Sequence, residues 1–169
     1  MKYIISDLHL GHKNIIDYCN RPFKNVKEMD DTICKNILSI PYTFSDTLFV
    51  LGDVGFWNKD KFVRFFSKIK AKKFLILGNH DRKNKNIWLD IFDFVSEYPI
   101  CINKWFWLSH EPMYLSASMP YVNIHGHLHE INQELIIDGK NMYKNVSVEQ
   151  TNYMPLNLNS IFSEYLGEK

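Results

Sequence analysis

Between Val26 and Ile40 the apolar residues Val26, Met29, Ile33, Ile37 and Ile40 recur at steps of three and four with charged residues between them. That period predicts an amphipathic helix. Phe62, Phe65, Phe66 and Ile69 repeat the pattern and predict a second. Between and after them lie short apolar runs, Tyr3 to Ile5, Leu48 to Leu51, Phe74 to Leu77, Trp105 to Leu108 and Val122 to Ile124. Their length and their β-branched or aromatic content predict buried strands. Strand and helix alternate in the first half, which implies right-handed crossovers and parallel pairing. The second half, with Asp138-Gly139 between apolar flanks, is expected to form hairpins and antiparallel pairs. The fold class expected is α/β, a mixed sandwich.

The 169 residues fit one domain with one core, spanning 1–169, and no repeat, linker or low-complexity stretch divides them. Hydrophobic residues at 46% and aromatics at 15% exclude intrinsic disorder. The apolar run at the N-terminus stops at Ile5, far short of the roughly 7–15 residues of a secretory signal, so a cytoplasmic location is expected. The charge-free stretch from Pro112 to Ile124 contains prolines, serines and an asparagine, and no window reaches the ~20 apolar residues of a membrane span. Cys19, Cys34 and Cys101 show no C-x-x-C spacing, so neither a disulfide framework nor a thiolate zinc site is implied, and all three are expected to be buried. Lysine and arginine number 20 against 19 acids, a net charge of +1, which gives no electrostatic case for an extended nucleic-acid or membrane surface. The basic stretch from Lys59 to Lys73 places Lys61, Arg64 and Lys68 opposite the phenylalanine face, the position of a solvated helix side. Alanine occurs only at Ala71 and Ala117 while Asn and Ile are plentiful, a bias of AT-rich bacterial or viral coding.

Each predicted strand is followed by metal-competent or acid–base side chains. Ser6 leads to Asp7 and His9, Gly52 to Asp53, and Gly78 to Asn79, His80 and Asp81; Ser109 leads to His110, and Ile124 to His125, His127 and His129. Carboxyl ends of parallel strands gather at one sheet edge, where ligands bind. In extended chain, residues i and i+2 project to one side, so Asp7 with His9, and His127 with His129, are expected to face a common region. Gly52, Gly78 and Gly126 suit tight turns there.

Asp7-Leu8-His9, Gly52-Asp53, Gly78-Asn79-His80-Asp81, His110 and Gly126-His127-Leu128-His129 resemble, in order, the five motifs of the calcineurin-like metallophosphoesterases. The resemblance implies a four-layer α/β/β/α sandwich of two mixed β-sheets flanked by helices, in a small member without a cap domain. It implies one metal ion on Asp7, His9, Asp53 and His129 and a second on Asp53, Asn79, His110 and His127, with Asp53 as the bridge. A hydroxide between two such cations is an in-line nucleophile at neutral pH. Imidazole, carboxylate and amide ligands suit Mn²⁺, Fe, Co, Ni or Zn, and Mn²⁺ is the favoured choice. By the same resemblance His80 faces the substrate as a catalytic group. Many members read Gly-Asp-x-x-Asp at the second motif, the later Asp orienting this histidine; here Phe56 stands in its place, so that Asp81 serves as partner or His80 has no carboxylate partner.

His12, Arg21 and Arg82 are the candidate substrate contacts, and His125 is expected to support the site or the core. Phe56, Trp57, Met113, Tyr114, Met119 and Tyr121 are candidates for a pocket receiving an organic group, or for ordinary core. The leading function is hydrolysis of a phosphodiester, of cyclic or oligonucleotide type, or of a phosphomonoester. The substrate would be a small phosphate ester, a nucleotide or an RNA or DNA end. Two other readings are a non-catalytic interaction module, as in the retromer subunit sharing this fold, and a DNA nuclease of the superfamily. The retained ligands with His80 argue against the first, and the short, neutral chain against the second. Two divalent cations outweigh the charges of Asp7 and Asp53, so such a site would be electropositive despite the neutral chain.

Overall fold

The computed structural model describes residues 1–116, 120–131, 136–137, 140–141 and 143–166. Strand β1 (Lys2–Ile5) is followed by a single helical turn, α1 (Ile15–Tyr18), the long helix α2 (Val26–Leu38) and β2 (Thr47–Val50). Helix α3 (Lys59–Phe66) leads to β3 (Lys72–Ile76), and the short α4 (Lys85–Leu89) to β4 (Phe94–Ser96). These four strands pair side by side in parallel, as the alternating first half predicts.

Asn25 caps α2 by accepting the Glu28 N–H at 3.0 Å, and the Glu28 carboxylate accepts the Lys24 N–H at 2.8 Å. The apolar period runs on to Ile40, but the helix stops at Leu38 because Pro41 disfavours helical geometry at the residue before it. Asn58 caps α3 in the same way through the Lys61 N–H. Lys61 and Arg64 lie on its exposed side, and beyond its end Lys68 is exposed and Ile69 buried.

Strands β5 (Ile100–Ile102), β6 (Phe106–Leu108) and β7 (Val122–His125) begin the second sheet. The pair β8 (Ile136–Ile137) and β9 (Lys140–Asn141) is antiparallel, and the predicted Asp138-Gly139 turn between them lies outside the described residues. Strand β10 (Tyr143–Asn145) completes the second sheet in the order β10-β7-β6-β5. Strand β11 (Leu156–Asn157) adds antiparallel to the free edge of β1, and α5 (Leu158–Leu166) follows. Antiparallel pairing of the whole second half is corrected: β6 with β7 and β7 with β10 are parallel, and only β5 with β6 is antiparallel in that sheet. The long connections 109–121 and 126–142 give the chain room to return to the same end, which a parallel pair requires.

The result is an α/β sandwich of two mixed sheets with helices. Alternation along the strands sends Ile5, Leu48, Val50 and Leu75 toward α2 and α3, where they pack with Met29, Ile33, Ile37, Phe62 and Phe66. Ile4, Phe49, Leu51 and Ile76 face the other way, against Phe106, Leu108, Val122 and Ile124 of the second sheet and Leu158, Ile161 and Phe162 of α5. Each fully buried Phe in these layers is worth about 2 kcal/mol of transfer free energy. Burial of all three cysteines does not hold. Cys19 is buried and Cys34 half-buried, but Cys101 sits on an edge strand and points to solvent. Among the described residues no helix is long and apolar enough to cross a membrane.

Candidate active site

Past the ends of β1 and β2 the ladder continues into the loops. Asp7 N–H donates to Gly52 O at 3.1 Å, His9 N–H to Asp53 O at 2.9 Å and Leu10 N–H to Val54 O at 3.1 Å. The chain is not extended there. Asp7, His9 and Asp53 have φ of 59°, 50° and 52°, and His127 and His129 have 67° and 49°. Side chains meet because the backbone turns through the left-handed region at each of these positions, not because extended chain alternates, and the i, i+2 expectation is corrected in that respect. Gly52, at φ +87°, makes the turn expected of it. Gly78 instead supplies room: a Cβ there would fall on the Asp53 carboxylate and lie 2.6 Å from the Asp53 amide nitrogen.

The side chains converge with their polar atoms facing one another. Asp7 Oδ2 accepts from His127 N–H and Ser147 Oγ–H, both at 2.9 Å, while its buried Oδ1 has no partner. His9 Nε2 is likewise buried without a hydrogen bond and lies 3.4 Å from Asp53 Oδ2. That oxygen is also 3.6 Å from His110 Nε2 and 3.9 Å from His80 Nε2. His110 Nδ1 sits 2.8 Å from Leu51 O, and since a carbonyl only accepts, Nδ1 carries the proton. The lone pair on Nε2 then faces Asn79 Oδ1 at 2.9 Å and His127 Nδ1 at 3.1 Å. Asp7, His9 and His129 form one group able to hold a cation, and Asp7, Asp53 and His110 another. Buried polar atoms without a partner, and an imidazole lone pair facing an amide oxygen, suit a cation.

Burial, with the nearby Arg21 charge, keeps the His9 ring neutral. Burial also pushes the Asp53 carboxyl up, an effect that the His110 ring opposes and the Asp7 charge reinforces. Burial alone would lower His129, but hydrogen bonds with Cys19 and Glu149 and the charges of Asp7 and Glu149 lift it to about 10, so ligation there would release a proton.

The model of the family described as calcineurin-like phosphoesterase matches residues 3–165. The chain belongs to the calcineurin-like phosphoesterases. An uncharacterized protein of Methanocaldococcus jannaschii, MJ1445, is 36% identical over 172 residues, covering 94% of this chain and 88% of its own. The Gene 66 protein of Mycobacterium phage L5 is 34% identical over 82 residues, 47% of this chain and 39% of that one. The crystal structure of AQ665 from Aquifex aeolicus, a protein of unknown function, superposes with a TM-score of 0.78 at 28% identity, covering 97% of this chain and 98% of that one.

In this calcineurin-like phosphoesterase several candidates sit apart from the role expected. Arg21 is buried and is not a substrate contact. It donates to Asp7 O at 2.8 Å, to Leu8 O at 3.0 Å and to Glu149 Oε1 at 2.9 Å, which leaves it no reach into the cleft. Asp81 does not orient His80. Its carboxylate accepts the N–H groups of Asp53 at 2.7 Å, Val54 at 3.1 Å and Gly78 at 2.9 Å, and burial pushes its pKa up to about 6 against those bonds. Asp81 is therefore a clamp on the Asp53 loop. His80 keeps a side chain 42% exposed, and its backbone N–H donates to Asp53 Oδ1 at 3.0 Å.

His12 lies at the rim, its Nδ1 3.4 Å from His9 Nδ1. Arg82 is exposed and lines a cleft of 210 Å³ with His110, Glu97, Glu111, Pro112 and Met113. His125 is in the core, donating to Gly126 O at 2.8 Å, and burial lowers its pKa. Of the aromatic candidates only Phe56 borders the site. Trp57 is anchored on Asp30, Tyr121 packs on Trp107, Tyr114 is in solvent, and Met119 lies outside the described residues. Sequence reasoning missed Glu149, whose Oε1 lies 2.9 Å from His129 Nδ1 and fixes that ring. No motif marks it, and its one signal is an acid in the otherwise uncharged run from Val146 to Thr151.

Proposed function

We propose that the chain is a dinuclear metal-dependent phosphohydrolase acting on a phosphodiester or phosphomonoester. One cation would be held by Asp7, His9, Asp53 and His129, and the other by Asp53, Asn79, His110 and His127, with Asp53 shared. The observation that carries this reading is the set of buried polar atoms at the strand ends, Asp7 Oδ1 and His9 Nε2 without partners and His110 Nε2 against Asn79 Oδ1. Mn²⁺ is the first choice for this donor set, and Fe, Zn, Co and Ni also suit it.

Bound there, two divalent cations supply Lewis-acid charge to a phosphoryl oxygen and lower the pKa of water toward neutrality. The chain's own residues set the geometry. Leu51 O and Glu149 Oε1 hold His110 and His129 with the proton on Nδ1, so each Nε2 is left for ligation. His127 N–H and Ser147 Oγ–H fix Asp7 Oδ2 and leave Oδ1 free. Asp81 gathers three amides and so fixes the loop that carries Asp53. His80, at the mouth with Nε2 3.9 Å from Asp53 Oδ2, is placed to hold a proton for the leaving oxygen.

Elemental analysis and hydrolysis of bis(4-nitrophenyl) phosphate test the reading. About two metal ions per chain are expected after Mn²⁺ supplementation. Chelation should abolish hydrolysis, Mn²⁺ should restore it, and Asp53→Asn should be inactive. Full activity of the metal-free protein overturns the reading. Absence of both metal and hydrolysis overturns it too, and favours a non-catalytic module.

A further inference from the structure

Four rings border the mouth of the site. The Phe56 side chain, 53% exposed, lies with its centroid 4.7 Å from that of His12 and 5.6 Å from that of His80. Tyr18, 70% exposed, stands 6.3 Å beyond His12. A single exposed Phe decides nothing, since isolated apolar residues are common on surfaces. Here the backbone that carries the ring is held in place. Phe56 N–H donates to Leu10 O at 2.8 Å, and Leu10 N–H to Val54 O at 3.1 Å. The buried Asp30 carboxylate then ties the next residues of both loops together, accepting Gly11 N–H at 2.9 Å and Trp57 Nε1–H at 2.8 Å. Trp57, the next residue, packs inward against Phe62 and Phe65, while the Phe56 ring stays at the surface.

We propose that Phe56 and His12 form one wall of a nucleobase subsite beside the phosphoryl centre, so that the substrate is a nucleotide. The inference rests on the proposed phosphoester centre and names its substrate class. Every base presents a π-face, and stacking on a fixed aromatic ring tolerates any base sequence. A sugar phosphate or a phosphorylated serine brings no aromatic face to lay on the Phe56 ring, and so gains less from this shelf than a nucleotide does.

Ribose 5-phosphate carries a hydroxyl where adenosine 5′-monophosphate carries its base, and titration calorimetry of both against the Mn²⁺-loaded protein tests the proposal. The nucleotide should bind about tenfold tighter than the sugar phosphate, the increment of one stacked base. Phe56→Ala should remove most of that advantage and Phe56→Trp should restore it. Because Phe56 is exposed, neither variant disturbs the core. Equal affinity of the two ligands in the parent protein, or an advantage that survives Phe56→Ala, overturns the shelf while hydrolysis of bis(4-nitrophenyl) phosphate leaves the phosphoester reading standing. No binding of either ligand together with no hydrolysis overturns both.

Discussion

Arg21 and Glu149, 128 residues apart, meet as a buried ion pair, with guanidinium Nη2 2.7 Å and Nε 2.9 Å from the same Oε1. The pair links two parts of the site. Arg21 also donates to the carbonyls of Asp7 and Leu8, and Glu149 Oε1 lies 2.9 Å from His129 Nδ1. Removing Glu149 strands the buried guanidinium against two carbonyls, and removing Arg21 leaves Glu149 with His129 as its remaining partner. Arg21→Ala and Glu149→Ala should each cost about 3–5 kcal/mol in urea unfolding. The double replacement Arg21→Met with Glu149→Met should recover most of that loss, since an apolar pair avoids the desolvation penalty, yet should still bind Mn²⁺ more weakly. A double variant as unstable as either single one would show that the backbone bonds of Arg21, not the charge pair, carry the effect.

The same pair sets an acid limb. Burial alone would raise the Glu149 carboxyl, but the His129 ring and the Arg21 guanidinium outweigh it and hold it below its ordinary 4.5. The folded state therefore binds fewer protons than the unfolded state in this range. Its stabilisation is complete above pH 4.5 and is lost as pH falls through the lower folded value. Thermal melts between about pH 3 and pH 6 should show a shallower decline for Glu149→Gln than for the parent. Parallel declines would remove Glu149 from the account.

Gly78 and Asp53 approach so closely that no side chain fits between them. A Cβ at Gly78 would meet the Asp53 carboxylate and its backbone nitrogen, and that nitrogen is already locked by Asp81 at 2.7 Å. The neighbour is backbone and cannot swing aside. Gly78→Ala should cost about 2–3 kcal/mol and displace the carboxylate shared by both proposed cations, lowering metal content as well as stability. Unchanged urea midpoint and metal content would contradict this.

The apolar period was enough to read α2, α3 and the cores of β1, β2, β3, β6 and β7, because each buries a continuous face. Strands β4, β5, β10 and β11 are two or three residues long and exist through their neighbours, so no local pattern marks them. The polar residues at the five strand ends were legible as one cluster, and the structure brings Asp7, His9, Asp53, His110, His127 and His129 together. What holds them was not legible. Arg21 reads like a phosphate contact and Asp81 like a catalytic partner until their backbone bonds are seen, and Glu149 reaches His129 only through tertiary packing.

If the facing polar atoms are cation ligands, removing the cations should loosen the fold. A ligand that binds only the native state at 100 times its dissociation constant adds about 2.7 kcal/mol. For a chain of this size that corresponds to roughly 5–11 °C in Tm. Differential scanning fluorimetry of the chelated protein with added Mn²⁺ should show such a rise in the parent and almost none in Asp53→Asn. An equal rise in both would mean that Mn²⁺ binds elsewhere.

Backbone strain at the ligand positions gives a test independent of catalysis. Asp7, His9, Asp53, His127 and His129 all adopt positive φ, which costs an L-residue roughly 1–2 kcal/mol and costs glycine almost nothing. His127→Gly and His127→Ala remove the same imidazole and the same contact with His110. They differ in whether a Cβ remains at φ 67°. The glycine variant should therefore be the more stable by about 1 kcal/mol in chelated buffer, even though glycine ordinarily destabilises a folded chain through its unfolded-state entropy. Both should lose Mn²⁺ affinity alike. If alanine proves the more stable, position 127 leaves the left-handed region once its side chain is gone, and the turn is imposed by the histidine's contacts instead of by the backbone ladder around it.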